Sequence, residues 1–275
     1  MSLGHHSDGD DPRTIFMRPG IGATAGIIQK RDLRFHRLTI DQPCMILVSK
    51  GVKTLYGPMG AMTVRSGQAV AISAGHSCDV VNHPGAGGVY EARWLVWDAD
   101  LLAQAPQRHT ALQGSAVLPV LEPAFSTAFD RALDAIAHPS LIPQDIARHR
   151  LAEILLWLAD QGVCLAPPQT GTLSSRLRGV FAAAPAQFWT AATVAQKLGL
   201  GEATLRRRLS VEGMSFSDLL ADVRMSSALT LLQSTDLPIN RVALDVGYES
   251  PSRFAVRFRQ RFGFPPSAVR GHKRI

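Results

Sequence analysis

The sequence predicts an α+β chain. An antiparallel β-barrel or sandwich followed by two helices comes first, then an all-α part with two helix-turn-helix units joined by a long linker helix. Three observations carry this expectation. Short apolar runs separated by turn residues fill the first hundred positions. After Trp97 the apolar spacing changes to that of helices. Beyond a Pro-containing break near Gly171, the pattern helix, glycine turn, helix occurs twice.

At 275 residues the chain suits two domains, each large enough to bury a core. Hydrophobic residues make up 46% and charged residues 19%, which is the composition of a soluble globular protein. No run of 18 or more apolar residues occurs, and the opening MSLGHHSDGDDPR is polar and acidic, so neither a membrane span nor a signal peptide is expected. Cys44, Cys78 and Cys164 are odd in number and widely spaced, which argues against a disulfide framework and for a reducing cytoplasm. The boundaries follow from these shifts: 1–13 a disordered tail or a cloning remnant that includes His5 and His6, 14–164 the first domain, 165–172 a linker, 173–271 the second domain, and 272–275 a tail.

In the first domain the runs LRFHRLTI, CMILVSKG, VKTLYG, MTVRSG, AVAISAG, CDVVNHPG and VYEARWLVW are predicted as strands. Their close, even spacing favours antiparallel pairing over a parallel sheet with crossover helices. Residues 122–138 place Phe125, Phe129, Leu133 and Ile136 on one helical face, and 144–161 do the same with Ile146, Leu151, Ile154, Leu155 and Leu158. The apolar face of the second helix suits either the core or a dimer seam. A metal site would need convergent ligands, and His36, His76, His83 and Glu91 are the candidates; without a His-x-His pair on one strand, surface or hydrogen-bonded histidines are the default, and no metal is expected. Cys44 and Cys78 lie in apolar runs, where a buried thiol behaves as a small inert hydrophobe.

Charge separates the halves. Residues 171–275 hold 15 Lys and Arg against 7 Asp and Glu, leaving 14 against 15 in the rest. A basic excess confined to one part points to a polyanion partner for that part, because basic side chains release the counterions condensed on phosphate. There, SSRLRGVFAAAP predicts a first helix, and TAATVAQKLGLGEATLRRRLSVEG a helix, a turn at Gly199, and a second helix. With Leu205 and Leu209 inward, at about 100° per residue, the outward face shows Ala203, Thr204, Arg207 and Ser210, with Arg206 on its flank. Such a helix can enter a major groove, where arginine donates two hydrogen bonds to a guanine edge. The second unit, PINRVALDVGYESPSRFAVRFRQRFG, turns at Gly247 and restarts with Ser250 as N-cap and Pro251 at the first position. Phe254 and Phe258 face inward, leaving Ser252, Arg253, Val256, Arg257 and Arg259 toward the outside. This face can hold phosphates and touch a thymine methyl, so it is expected to position more than to specify. Between the units, SFSDLLADVRMSSALTLLQSTDL predicts a linker helix of about 18 residues, ~27 Å long, comparable with the ~34 Å between successive major-groove faces.

The second half resembles the AraC/XylS family of bacterial transcription regulators over about residues 172–271. The resemblance is carried by Arg224, Met225, Ala228, Leu231 and Leu232 in the linker helix, and by Ala243, Val246, Gly247, Tyr248, Ser250, Ser252, Phe254, Phe258 and Arg259 in the second unit, continuing through Gly263 and Pro266 to Arg270. It departs from the family at Gly201, where Ser or Thr usually caps the first recognition helix, at Val256, often arginine, and at Val269, often tyrosine. The resemblance implies a sequence-specific regulator with no enzymatic activity and a cupin-like first domain for effector sensing or dimerisation. The expected partners are double-stranded DNA, RNA polymerase, and a second copy joined through the helices of the first domain, so the resemblance favours the seam over the core for the apolar face of the second helix. No cofactor is expected beyond a small-molecule effector of unspecified identity. Alternatives are a cupin-type metal enzyme or metal sensor fused to a DNA reader, and a regulator controlled by a protein partner.

Overall fold

The computed structural model describes residues 14–58, 60–105, 108–168 and 171–270. The expected tails, 1–13 and 272–275, lie outside the described residues. Among the described residues there are ten strands, the last of them after the first helix: β1 Phe16–Arg18, β2 Gly22–Gln29, β3 Leu33–Thr39, β4 Cys44–Lys50, β5 Val52–Gly57, β6 Gly60–Arg65, β7 Gln68–Ile72, β8 Ser77–His83, β9 Tyr90–Trp97 and β10 Ser115–Val120. The helices are α1 Ala99–Gln104, α2 Pro123–Ala137, α3 Gln144–Asp160, α4 Leu173–Ala183, α5 Ala191–Lys197, α6 Glu202–Val211, α7 Phe216–Ser234, α8 Ile239–Asp245, α9 Pro251–Phe262 and α10 Pro266–Val269.

The strands form two antiparallel sheets, ordered β1-β2-β9-β4-β7-β10 and β3-β8-β5-β6. Between them lies an apolar layer of Ile46, Val48, Leu55, Val70, Val80 and Tyr90. A second layer fills the space between the larger sheet and α2 and α3, with Met45, Leu47, Leu95 and Trp97 against Phe125, Phe129, Leu151, Ile154 and Leu158. This settles one open expectation: Leu151, Ile154, Leu155 and Leu158 of α3 are buried in the chain's own core and are not free for a second copy. Ile146, expected on that inward face, is 45% exposed, because it sits in the first turn, before the helix reaches the sheet.

Three strands, β1, β2 and β10, and two short helices, α1 and α10, have no counterpart among the predicted elements. β2, GATAGIIQ, is rich in Gly and Ala and shows no polar alternation, yet all eight of its residues pair with β9. β10 contains Pro119 and closes the edge beside β7, where Leu118 and Val120 straddle a bulge that skips the proline.

The C-terminal helices build two clusters on either side of α7. Leu177, Phe181, Leu205, Leu209 and Leu219 fill the first, and Leu229, Val242, Phe254, Phe258 and Phe262 the second. The two parts of the chain dock through β3. Phe35 is 1% exposed and sits inside the second helical cluster, edge-on to Phe262 at 6.1 Å and to Phe264 at 5.6 Å between ring centroids. A bulge in β3 between Phe35 and Leu38 holds Arg37 at φ 47°, a left-handed value that side-chain-bearing residues adopt only when held. The holder is Asp79: its Oδ1 accepts from the Arg37 amide at 2.8 Å, and its Oδ2 lies 2.9 Å from His36 Nδ1 and 3.0 Å from Arg34 Nη2.

That bulge aims two carbonyls at α9. Arg261 donates to the oxygens of His36 at 2.6 Å and Arg37 at 2.8 Å, and through Nε to Asp222 of α7 at 2.6 Å. Asp222 also accepts from Arg178 of α4 at 2.8 Å, while Arg178 Nε reaches Asp41 of the first domain at 2.6 Å. The four side chains are between 12% and 20% exposed, so the chain of charges Asp41, Arg178, Asp222, Arg261 is largely shielded from water.

Candidate nucleic-acid interface

α5 and α6 meet at Gly199, with φ 65°, and α8 and α9 meet at Gly247, with φ 83°. Both values lie in the left-handed region that glycine enters without steric cost. Gly247 is constrained a second time: a Cβ there would fall 2.6 Å from Arg224 Nη2 and 2.9 Å from the Pro185 oxygen. Arg224 of α7 passes over this turn to donate to the carbonyls of Pro185 at 2.9 Å and Gln187 at 3.0 Å, with its guanidinium 5.8 Å from the Tyr248 ring centroid. Arg224, Gly247 and Tyr248 therefore form one packing unit that ties the linker helix to the second helix-turn-helix.

α6 begins at Gly201 with no side-chain hydrogen bond to its first amides. Leu205 and Leu209 are fully buried and fix the helix's rotation. Ala203, Arg206, Arg207 and Ser210 are exposed and Thr204 is half-buried. Arg206 is held by Glu202 one turn earlier, at 2.9 and 2.7 Å, a surface pair that a ligand can exchange at small cost. Arg207 has no ion pair or side-chain hydrogen bond among the described residues.

α9 begins at Ser250, whose Oγ accepts from the Arg253 amide at 3.4 Å, with Pro251 in the first turn. Phe254, Phe258 and Phe262 are buried, while Ser252, Arg253, Val256 and Arg259 are exposed. Arg257 leans back toward α7, 3.5 Å from Asp218, with both side chains well exposed. Arg261, on the same helix, faces the first domain instead.

The candidate ligands in the first domain do not converge. His36 pairs with Asp79, His83 lies 3.3 Å from Asp32, and Glu91 pairs with Lys50 at 3.0 Å. His76 stands apart, beside Gly114. Cys44 and Cys78 are buried free thiols, and burial pushes the Cys44 thiol up to about 12.

A family model described as a helix-turn-helix domain matches residues 194–272. Those residues are a helix-turn-helix domain. The transcriptional regulator GadX of Escherichia coli O6:H1 is 39% identical over 79 residues, which is 29% of either chain. SirC of Salmonella typhimurium is 38% identical over 78 residues, 28% of this chain and 26% of its own. YdeO of Escherichia coli K12 is 32% identical over 98 residues, 36% and 38% of the two chains. The likeness to these relatives thus spans well under half of their length. The fold extends further: ToxT from Vibrio cholerae aligns over 94% of this chain and 100% of its own with a TM-score of 0.64, at 13% identity. The two-sheet domain followed by helices and the helical C-terminal part is therefore a ToxT-like arrangement. Within the helix-turn-helix domain the departures from the pattern it was expected to follow have structural outcomes. Gly201 leaves the α6 start without a side-chain cap, Val256 is 58% exposed on α9, and Val269 of α10 is buried at 1% against the second cluster.

Proposed function

We propose that the chain is a sequence-specific, DNA-binding transcription regulator that sets α6 and α9 into successive major grooves of one duplex. The observation that carries this reading is Arg207: an exposed, unpartnered guanidinium at the middle of a helix face whose opposite side is locked by two buried leucines. Exposed Arg206, Ala203 and Ser210 and half-buried Thr204 extend that face, and Ser252, Arg253, Val256, Arg257 and Arg259 offer mainly phosphate contacts and an apolar touch on α9. The 19 residues of α7 give ~28 Å between the heads, close to the ~34 Å repeat of the groove.

The first domain is assigned effector sensing, dimerisation, or both. ToxT has been solved bound to an unsaturated fatty acid, and by that likeness a small-molecule effector is proposed here. With the inward face of α3 consumed by the core, a second copy would meet the outer surface of the two helices, where Leu156 is 42% and Ile146 45% exposed, with Leu141 beside them at 78%. No covalent chemistry is assigned, RNA polymerase is the further partner proposed, and the site of action is a bacterial cytoplasm.

The test is selection of bound sequences from a random duplex pool, followed by the Arg207→Ala variant on the selected site. Loss of about 1–3 kcal/mol with relaxed preference at one base pair is expected. A pool that yields no enriched sequence overturns the assignment, and equal weakening on selected and random duplexes reduces Arg207 to a phosphate contact.

A further inference from the structure

Arg207 also lines a groove of about 480 Å³ on the flank of α6. Its walls are the start of α4 at Gly171–Leu173, Leu198 and Leu200 of the α5–α6 turn, and the last turn of α6 with Arg208 and Val211. Arg176 of α4 projects into the same space. Arg176, Arg207 and Arg208 are all exposed, and none has an ion pair or side-chain hydrogen bond among the described residues. Elsewhere on the helical half, Arg178, Arg206, Arg241, Arg257 and Arg261 have carboxylate partners, while Arg253 and Arg259 of α9 are exposed with no ion pair among the described residues. One groove thus gathers three unspent guanidinium groups.

The acid in this groove, Glu212, forms no ion pair with them among the described residues. Its two carboxylate oxygens accept from the amides of Leu173 and Ser174 at 2.8 Å each, satisfying the first donors of α4. Burial disfavours that charge, but the bonds from Ser174 and Leu173 outweigh it and hold the carboxyl below its ordinary range. The rest of the wall is aliphatic: Val211 is 85% exposed, with Leu198 and Leu200 half-buried. Cationic forks alternating with apolar surface match a sugar-phosphate chain, whose phosphates take the guanidinium groups while the deoxyribose faces lie on the aliphatic side chains.

We propose that this groove seats the backbone of the DNA strand bordering the major groove that α6 enters, with Arg176 and Arg208 each holding a phosphate. At about 100° per residue, Arg208 lies one step round the helix from Arg207, so the groove continues directly from the reading face. This inference rests on the DNA-binding reading above and adds two residues to it that the sequence pattern did not single out.

The experiment measures binding of the full chain to its selected duplex and to a random duplex across salt concentrations, for wild type, Arg176→Ala, Arg208→Ala and the double variant. Each phosphate contact contributes about 0.9 to the slope of log affinity against log salt. Each single variant is expected to lower that slope by about 1, and the double by about 2, with base preference unchanged. Arg208→Lys should restore the slope, since a point charge suffices for a phosphate. Ethylation of one backbone phosphate, inhibitory for the wild type, should cease to matter for Arg208→Ala. Unchanged slopes in folded variants of a chain that binds its site overturn this proposal alone. A wild-type chain that binds no duplex overturns it together with the assigned function.

Discussion

Lys53 shows how a single side chain writes a pH dependence into the fold. It is 4% exposed inside the first domain, with its ammonium 2.8 Å from Asn82 Oδ1 and 5.7 Å from the Tyr90 ring centroid. Burial, only partly offset by the neighbouring Cys44 and Cys78, pushes its pKa down to about 8. A lysine whose folded value lies below its unfolded one, near 10.4, binds fewer protons folded than unfolded between those limits, so its own contribution to stability should rise with pH across that window, by roughly 3 kcal/mol in all, against the opposite slope of the buried Cys44 thiol, whose folded value is raised. Urea midpoints from pH 7.5 to 10.5 measure this. The stability of the wild type relative to Lys53→Met should rise by that amount across the window; a constant difference would mean that Lys53 does not titrate there.

Asp222 plays the corresponding part at the level of elements. From the middle of α7 it accepts from Arg178 on α4 and Arg261 on α9, so one carboxylate ties the linker helix to α4 and to the second helix-turn-helix unit, and both arginines continue into the first domain. Although burial opposes its charge, Arg261 and then Arg178 hold its pKa below the usual carboxylate range. A depressed folded value makes the contribution present above about pH 4 and lost as pH falls through the folded pKa. Asp222→Ala leaves Arg261 without its charge partner in a shielded site and should cost about 3 kcal/mol. Chemical denaturation at pH 7 reads that loss, and the gap between variant and wild type should narrow toward pH 3. A variant as stable as the wild type at pH 7 would show that water replaces the carboxylate freely.

At the scale of the molecule, what could be read in advance depended on how local the determinants are. The helix-turn-helix units were legible because glycine turns, the Ser250 cap and inward leucines and phenylalanines act within a few residues of one another. The outward position of Arg207 followed from the same spacing. β2 was not legible, since a strand covered by sheet neighbours and by α7 needs no polar alternation. The phosphate groove depends on Arg176 and Arg208 meeting across 32 positions of sequence, and the docking of the two parts depends on the left-handed Arg37 and the Asp79 brace, neither of which has a local sequence mark. Phe35 joins the two parts most directly. Phe35→Ala should cost about 3–5 kcal/mol and should loosen the first domain from the second, visible as two thermal transitions in place of one. A single transition with an unchanged midpoint would mean that the aromatic contacts are dispensable.

The same ring limits how the halves can be separated. A polypeptide starting at the C-terminal helices would carry an empty aromatic socket beside Phe262 and Phe264, open to solvent or to the ring of a neighbour. The reading half is therefore not a portable cassette. Grafting it onto a foreign sensor would succeed only where the new partner supplies a comparable plug at that place.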